Sequence, residues 1–154
     1  MALILDLFLH YNLALLEDVT EGFDCVVTVP STRPEPSDSL QKIIEGTDSF
    51  GAPYVQPLRR GRVDLGSRVM SDEGFSVHGN IHGRRVLLLD DVYTTGARAQ
   101  SAASALALAG ATVVAILVLA RRINPEFNEA SARVWQRQEK RRFTFPRAMG
   151  WLID

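Results

Sequence analysis

The chain is nearly without cysteine. Cys25 is the only one among 154 residues, which excludes an internal disulfide framework and a cysteine-based zinc site. That usage fits a reducing cytoplasm. Net charge is also missing: 17 Lys and Arg against 18 Asp and Glu leave a formal charge of −1, so no global pull toward nucleic acid or membrane exists. Long hydrophobic runs are absent, and none approaches the ~20 residues that cross a bilayer. The apolar start, Met1 to His10, has no basic leader and is broken by Asp6, which argues against a signal peptide. There is no internal repeat, no low-complexity segment and no long linker. A hydrophobic content of 46% and a charged content of 23% then describe one ordinary globular domain over residues 1–154.

What is present divides into an N-terminal helix (1–22), a core (23–125) and a tail (126–154). Residues 2–19 repeat Ile4, Leu7, Phe8, Tyr11, Leu15 and Val19 at helical spacing, and Gly22 follows where a helix would end. This helix is expected to cover a sheet face, with a dimer contact as the other use of its apolar stripe. Cys25 to Val29 is a β-branched strand stopped by Pro30. Ser31 to Asp38 is a loop by composition, and Leu40 to Ile44 begins a short helix capped by Asp38 or Ser39. Tyr54 to Leu58 reads as an edge strand, because Pro57 excludes a central place. Arg59, Arg60, Gly61 and Arg62 read as a basic, flexible loop, and Phe75 to Val77 as a short strand.

Residues 86–97, Val-Leu-Leu-Leu-Asp-Asp-Val-Tyr-Thr-Thr-Gly-Ala, carry the most chemistry. Four apolar residues make a buried strand running from Arg85 to Leu89, and Asp90 and Asp91 close it. The turn at Thr94, Thr95 and Gly96 can aim successive backbone N–H groups and two hydroxyls at a phosphate. The helix predicted from Ala97 to Ala109 adds its N-terminal dipole. Two carboxylates at a strand end can accept hydrogen bonds from a vicinal diol and lie near a divalent cation. Phosphate, diol and cation together describe a phosphorylated ribose. Gly110 is placed to end the helix. Thr112 to Leu119 is a continuous apolar strand, the kind buried on both faces of a parallel sheet. Residues 85–119 therefore predict a right-handed β-α-β unit.

This stretch resembles the phosphoribosyl pyrophosphate (PRPP) fingerprint of the type I phosphoribosyltransferases. Asp90 to Ala97, with Arg122-Ile123-Asn124-Pro125, are most similar to the competence-protein-F-like group. The resemblance covers roughly residues 23–125. It does not extend to the N-terminal cysteine cluster many members of that group carry. It implies an α/β, Rossmann-like, mostly parallel sheet flanked by helices. It also implies transfer of phosphoribosyl from PRPP to a nitrogen or other nucleophilic acceptor, with pyrophosphate released.

By the same resemblance, Asp90 and Asp91 hold the ribose diol, and Val92, Tyr93, Thr94, Thr95, Gly96 and Ala97 hold the 5-phosphate. Ser31, Thr32 and Arg33 form the pyrophosphate loop, and Arg121 and Arg122 lie on the acceptor side. Arg59 and Arg62, with Arg60 between them, supply cations to the departing pyrophosphate. The cofactor is Mg2+, carried by PRPP near Asp90 and Asp91 without a direct protein metal site. His78 and His82 are candidate lid residues.

The partners expected are PRPP and a small-molecule acceptor, with no membrane and no tight nucleic-acid contact. A homodimer or monomer is expected. The competing class is a PRPP- or nucleotide-sensing regulator without turnover, in which the basic, aromatic tail contacts a partner. In that tail Arg133, Arg137 and Lys140 interleave with Trp135, and Phe143, Phe145 and Trp151 follow. Its aromatics are expected to pack on the domain or on a second subunit.

Overall fold

The run of aliphatics at Val86 to Leu89 decides the centre of the molecule. In the computed structural model, which describes residues 2–31, 40–46, 49–61 and 74–140, it forms the middle of β4 (Arg85–Tyr93) and is fully buried. β4 pairs in parallel with β1 (Cys25–Thr28) on one side and β5 (Thr112–Arg121) on the other, giving the order β1-β4-β5. Tyr54 adds a single parallel bridge to Val26 at the β1 edge. Only that residue of the expected Tyr54–Leu58 strand joins this sheet.

Alternation along the strands sorts their side chains onto two faces. Cys25, Val27 and Val29 of the β1 segment and Val86 and Leu88 of β4 pack with Ala102, Ala105 and Leu106 of α3 (Ala97–Leu108). Val26, Leu87 and Leu89 pack with Leu5, Leu9 and Leu16 of α1 (Ala2–Thr20) and Ile44 of α2 (Leu40–Glu45). The alanines of α3 allow its backbone to lie close to the sheet. β2 (Leu58–Arg60) and β3 (Phe75–Val77) form a separate antiparallel pair, whose Leu58 and Phe75 join the α3-side core.

Several expectations need correction. In α1 the buried residues are Leu5, Leu9, Asn12, Leu16 and Thr20, while Ile4, Tyr11 and Val19 of the expected stripe are exposed. The helix is apolar on more than one side, so spacing alone does not select the inner face. Two polar residues also belong to that face. Asn12 Nδ2 donates to Phe8 O at 2.9 Å and Thr20 Oγ1 to Leu16 O at 2.7 Å, which satisfies both within the helix.

β5 is not buried on both faces. It is an outer strand among the described residues, with a partner on one side only, and Ile116 stays 38% exposed. β4 runs on through the two acids to Tyr93, because β5 continues beside it to Arg121. Arg59 and Arg60 belong to β2 rather than to a loop; Arg62 lies outside the described residues.

The ends of the elements are set by local chemistry. Gly22 N donates to Glu17 O and Glu21 N to Asp18 O, closing α1 with a left-handed residue at Glu21 (φ 54°). Arg85 then locks this end to the sheet: its guanidinium donates to the carbonyls of Thr20 and Gly22, and its backbone N–H donates to Asp24 Oδ2. α3 ends the same way at Gly110 (φ 85°), where a Cβ would lie 2.4 Å from the His82 ring. His82 thus packs at the end of α3 remote from the acids, not over them.

α4 (Glu129–Glu139) is capped by Asn128, whose side chain accepts from Ser131 N at 2.8 Å. It has no buried residue, and Trp135 is 44% exposed. Trp135 is thus only partly shielded; Phe143, Phe145 and Trp151 lie outside the described residues.

Candidate functional site

In an open parallel sheet, ligands approach the C-terminal strand ends. Three such ends converge here. β1 delivers Thr28, Val29, Pro30 and Ser31, and Val29 N donates to Leu89 O at 2.8 Å, so this end lies directly beside the end of β4. β4 delivers Asp90, Asp91, Val92 and Tyr93. β5 delivers Arg121 and Arg122, with Arg122 N donating to Tyr93 O at 2.9 Å. Thr94 and Thr95 then lead, exposed, into α3.

Asp90 is 3% exposed and continues the Val86–Leu88 face toward α3; Asp91, one residue on, is half-buried and points the other way by strand alternation. Burial pushes the Asp90 carboxyl up to about 6, Arg98 opposes that rise, and Asp91 adds to it. Each acid also accepts the next backbone N–H: Asp91 N donates to Asp90 Oδ1 at 3.1 Å, and Val92 N to Asp91 Oδ1 at 2.7 Å. A buried carboxyl held at a strand end at a desolvation cost has the character of a functional group.

The turn between β4 and α3 opens on a glycine. Gly96 is the N-cap of α3 at φ 81°, and it contributes no side-chain cap. A Cβ there would lie 2.2 Å from Tyr93 Oη, so both the backbone angle and the packing demand glycine. Thr95 Oγ1 accepts from Ala97 N at 3.4 Å, a long bond. The first turn of α3 therefore presents amides toward the same space as the two threonines. Arg121 lies over the Tyr93 ring, 5.9 Å from its centroid, which fixes an aromatic–cation surface beside the turn.

The remaining predicted residues divide. Ser31 is exposed at the end of β1, while Thr32 and Arg33 lie outside the described residues. Arg59 and Arg60 are exposed, and Arg59 Nη1 donates to the carbonyls of Gln56 and Leu58, both at 3.1 Å. His78 Nε2 shares a hydrogen bond with Ser76 Oγ of β3 at 3.2 Å.

Magnesium was expected to arrive with the ligand. No group of three or more His, Cys, Asp or Glu that could hold a metal occurs among the described residues. Carboxylates beside bound phosphates are a common Mg2+ environment, and Asp90 and Asp91 are the carboxylates at this strand end.

Three residues escaped the sequence reading. Arg98, in the first turn of α3, donates from Nη2 to Pro30 O at 2.7 Å. A cation at a helix N-terminus opposes the helix dipole, and that misfit was the available signal. Tyr54 and Gln56 meet at Thr28: Thr28 Oγ1 is 3.1 Å from Tyr54 Oη and accepts from Gln56 Nε2 at 3.2 Å. Gln56 Oε1 is buried and unbonded. No local pattern marks this pair, because only the Tyr54 bridge brings them to β1.

No family model and no curated protein matches the chain. Solved structures do. One, described as the allosteric regulatory enzyme of purine biosynthesis, aligns at a TM-score of 0.50 and 23% identity, over 77% of this chain and 26% of its own. The chain thus spans about a quarter of that protein. The fold is that of the type I phosphoribosyltransferases. An adenine phosphoribosyltransferase from Thermoanaerobacter pseudethanolicus also aligns, at a TM-score of 0.48 and 20% identity, over 73% of this chain and 67% of its own. Among the described residues, no helix is long and apolar enough to cross a membrane.

Proposed function

We propose that this chain is a single-domain phosphoribosyltransferase that takes PRPP and passes its phosphoribosyl group to a nucleophilic acceptor, releasing pyrophosphate. The observation that carries this is the pairing of a buried strand-end carboxyl, Asp90, with a glycine-opened helix N-terminus six residues later.

In this reading the amides of α3, with Thr94 and Thr95, hold the 5-phosphate. Binding energy far from the anomeric carbon then positions that carbon. Asp90 and Asp91 accept hydrogen bonds from the ribose hydroxyls, and their charge favours the oxocarbenium-like ring that forms as the C1–O bond breaks. Magnesium, when bound with PRPP, neutralises charge on the pyrophosphate and makes it a better leaving group. Ser31, Thr32 and Arg33 receive the pyrophosphate, and Arg59, Arg60 and Arg62 supply cations to it as it departs. The Tyr93–Arg121 surface and Arg122 face the acceptor. The likeness to the competence-protein-F-like group and a cytoplasmic location belong to the same proposal.

The alternative is a PRPP sensor without turnover. Exposed α4, which turns Arg133, Arg137 and Lys140 toward one open groove, favours it as a partner surface.

Calorimetric titration with PRPP in millimolar magnesium tests both readings, followed by an acceptor screen for pyrophosphate release. Binding with release supports the enzyme. Binding without release for any acceptor supports the sensor. No PRPP binding overturns both.

A further inference from the structure

Arg98, on α3, reaches across to the end of β1. Its Nη2 donates to Pro30 O at 2.7 Å, across 68 positions of sequence. The residue is half-buried, so the bond is partly shielded from water. It stands at the second position of α3, where the helix dipole disfavours a cation. Two things offset that misfit: the Pro30 carbonyl it bonds and the negative charge of Asp90, which it sees. Charge-assisted bonds of this kind are stronger than neutral ones. Val29 packs in the core beside α3 and its amide bonds Leu89 O at 2.8 Å; one residue further on, at Pro30, the Arg98 bond links the β1 end to the first turn of α3.

We infer that Arg98 is a positioning residue, a tie that holds the Pro30 segment at a set distance from the first turn of α3. The inference rests on the reading that PRPP lies across both segments. A ligand that touches both benefits from their fixed spacing, because the Pro30 segment need not be ordered at the moment of binding. A ligand that touches only the α3 side gains nothing from it. The tie therefore separates PRPP from ribose 5-phosphate, which lacks the pyrophosphate.

The test uses Arg98→Met, which keeps the apolar stem and removes the guanidinium, and Arg98→Lys, which returns one N–H donor. Both ligands are titrated calorimetrically against each protein in millimolar magnesium. Arg98→Met is expected to weaken PRPP by about tenfold or more while leaving ribose 5-phosphate within about twofold, and Arg98→Lys to recover part of the difference. Equal weakening of both ligands would make Arg98 a direct phosphate contact and overturn the tie, as would unchanged PRPP affinity. If wild-type protein binds neither ligand, the PRPP reading itself fails.

A ligand-free measurement then still judges the tie. Amide exchange at Val29 and Ser31 should be about fivefold faster in Arg98→Met, with Leu87 to Leu89 unchanged. Unaltered exchange at Val29 and Ser31 would refute it.

Discussion

Asp90 concentrates the energetic tension of the site in one side chain. Its carboxyl is favoured in the protonated form in the fold, at about 6 against an ordinary value of 3.8, chiefly because burial penalises the charge. The folded protein thus binds this proton more tightly than the unfolded chain. Its contribution to stability is greatest below about pH 4, falls as pH rises through about 6, and is constant above that. Two outcomes follow from the same charge. If the ionised carboxylate receives the ribose hydroxyls, kcat/KM for PRPP should fall about tenfold per pH unit below pH 6, read from a pH–rate profile of the free enzyme. Asp90→Asn should remove turnover yet raise the melting temperature at pH 7 by roughly 2–4 °C. That corresponds to about 1 kcal/mol once water screening at the strand end is allowed for. A variant that loses both stability and activity would mean that Asp90 is structural.

At the scale of elements, the helix ends show how a chain tolerates a poor residue beside a good one. α3 closes on Gly110, where the left-handed angle and the His82 ring both require the absence of a side chain. α1 closes with the same hydrogen-bond pattern but places Glu21 at the left-handed position, and Gly22 only afterwards. Glu21 has no need of its side chain for the turn, and it bears the steric cost of that angle. Glu21→Gly should therefore stabilise the protein by about 0.5–1 kcal/mol, visible as a higher urea midpoint with an unchanged slope. The Arg85 bonds to Thr20 and Gly22 keep the turn in place in either case.

Across the whole molecule, the described surface has two unequal sides. The outward side of α1 exposes Leu3 (70%), Ile4, Tyr11 and Val19, whereas α4 carries a basic, solvated face. The basic residues are local, and the chain as a whole has a formal charge of −1. Counterion release, the main source of nucleic-acid affinity, needs many phosphate contacts, and one short basic helix offers few. A titration with duplex DNA at physiological salt should show no submicromolar affinity. Tight, salt-sensitive binding would instead promote the sensor reading and its tail.

The three strands of the parallel sheet and the turn into α3 were legible in the sequence by itself. β-branched and apolar runs at Cys25, Val86 and Thr112 can bury themselves only as strands, and Thr94-Thr95-Gly96 before an alanine-rich run can only open a helix. Those are local preferences, and neighbours do not overturn them when they all agree. Three features needed the tertiary structure. The inner face of α1 follows Leu5, Leu9, Asn12 and Leu16, because the sheet chooses among several apolar sides. β5 remains half-exposed because, among the described residues, its place in the sheet is at an edge, which no residue of its own encodes. Arg98 reaches Pro30, and Gln56 reaches Thr28, only because parallel pairing of β1 with β4 brings distant strand ends together. Periodicity reports which residues avoid water; which neighbours they meet is settled by the packing of the whole chain.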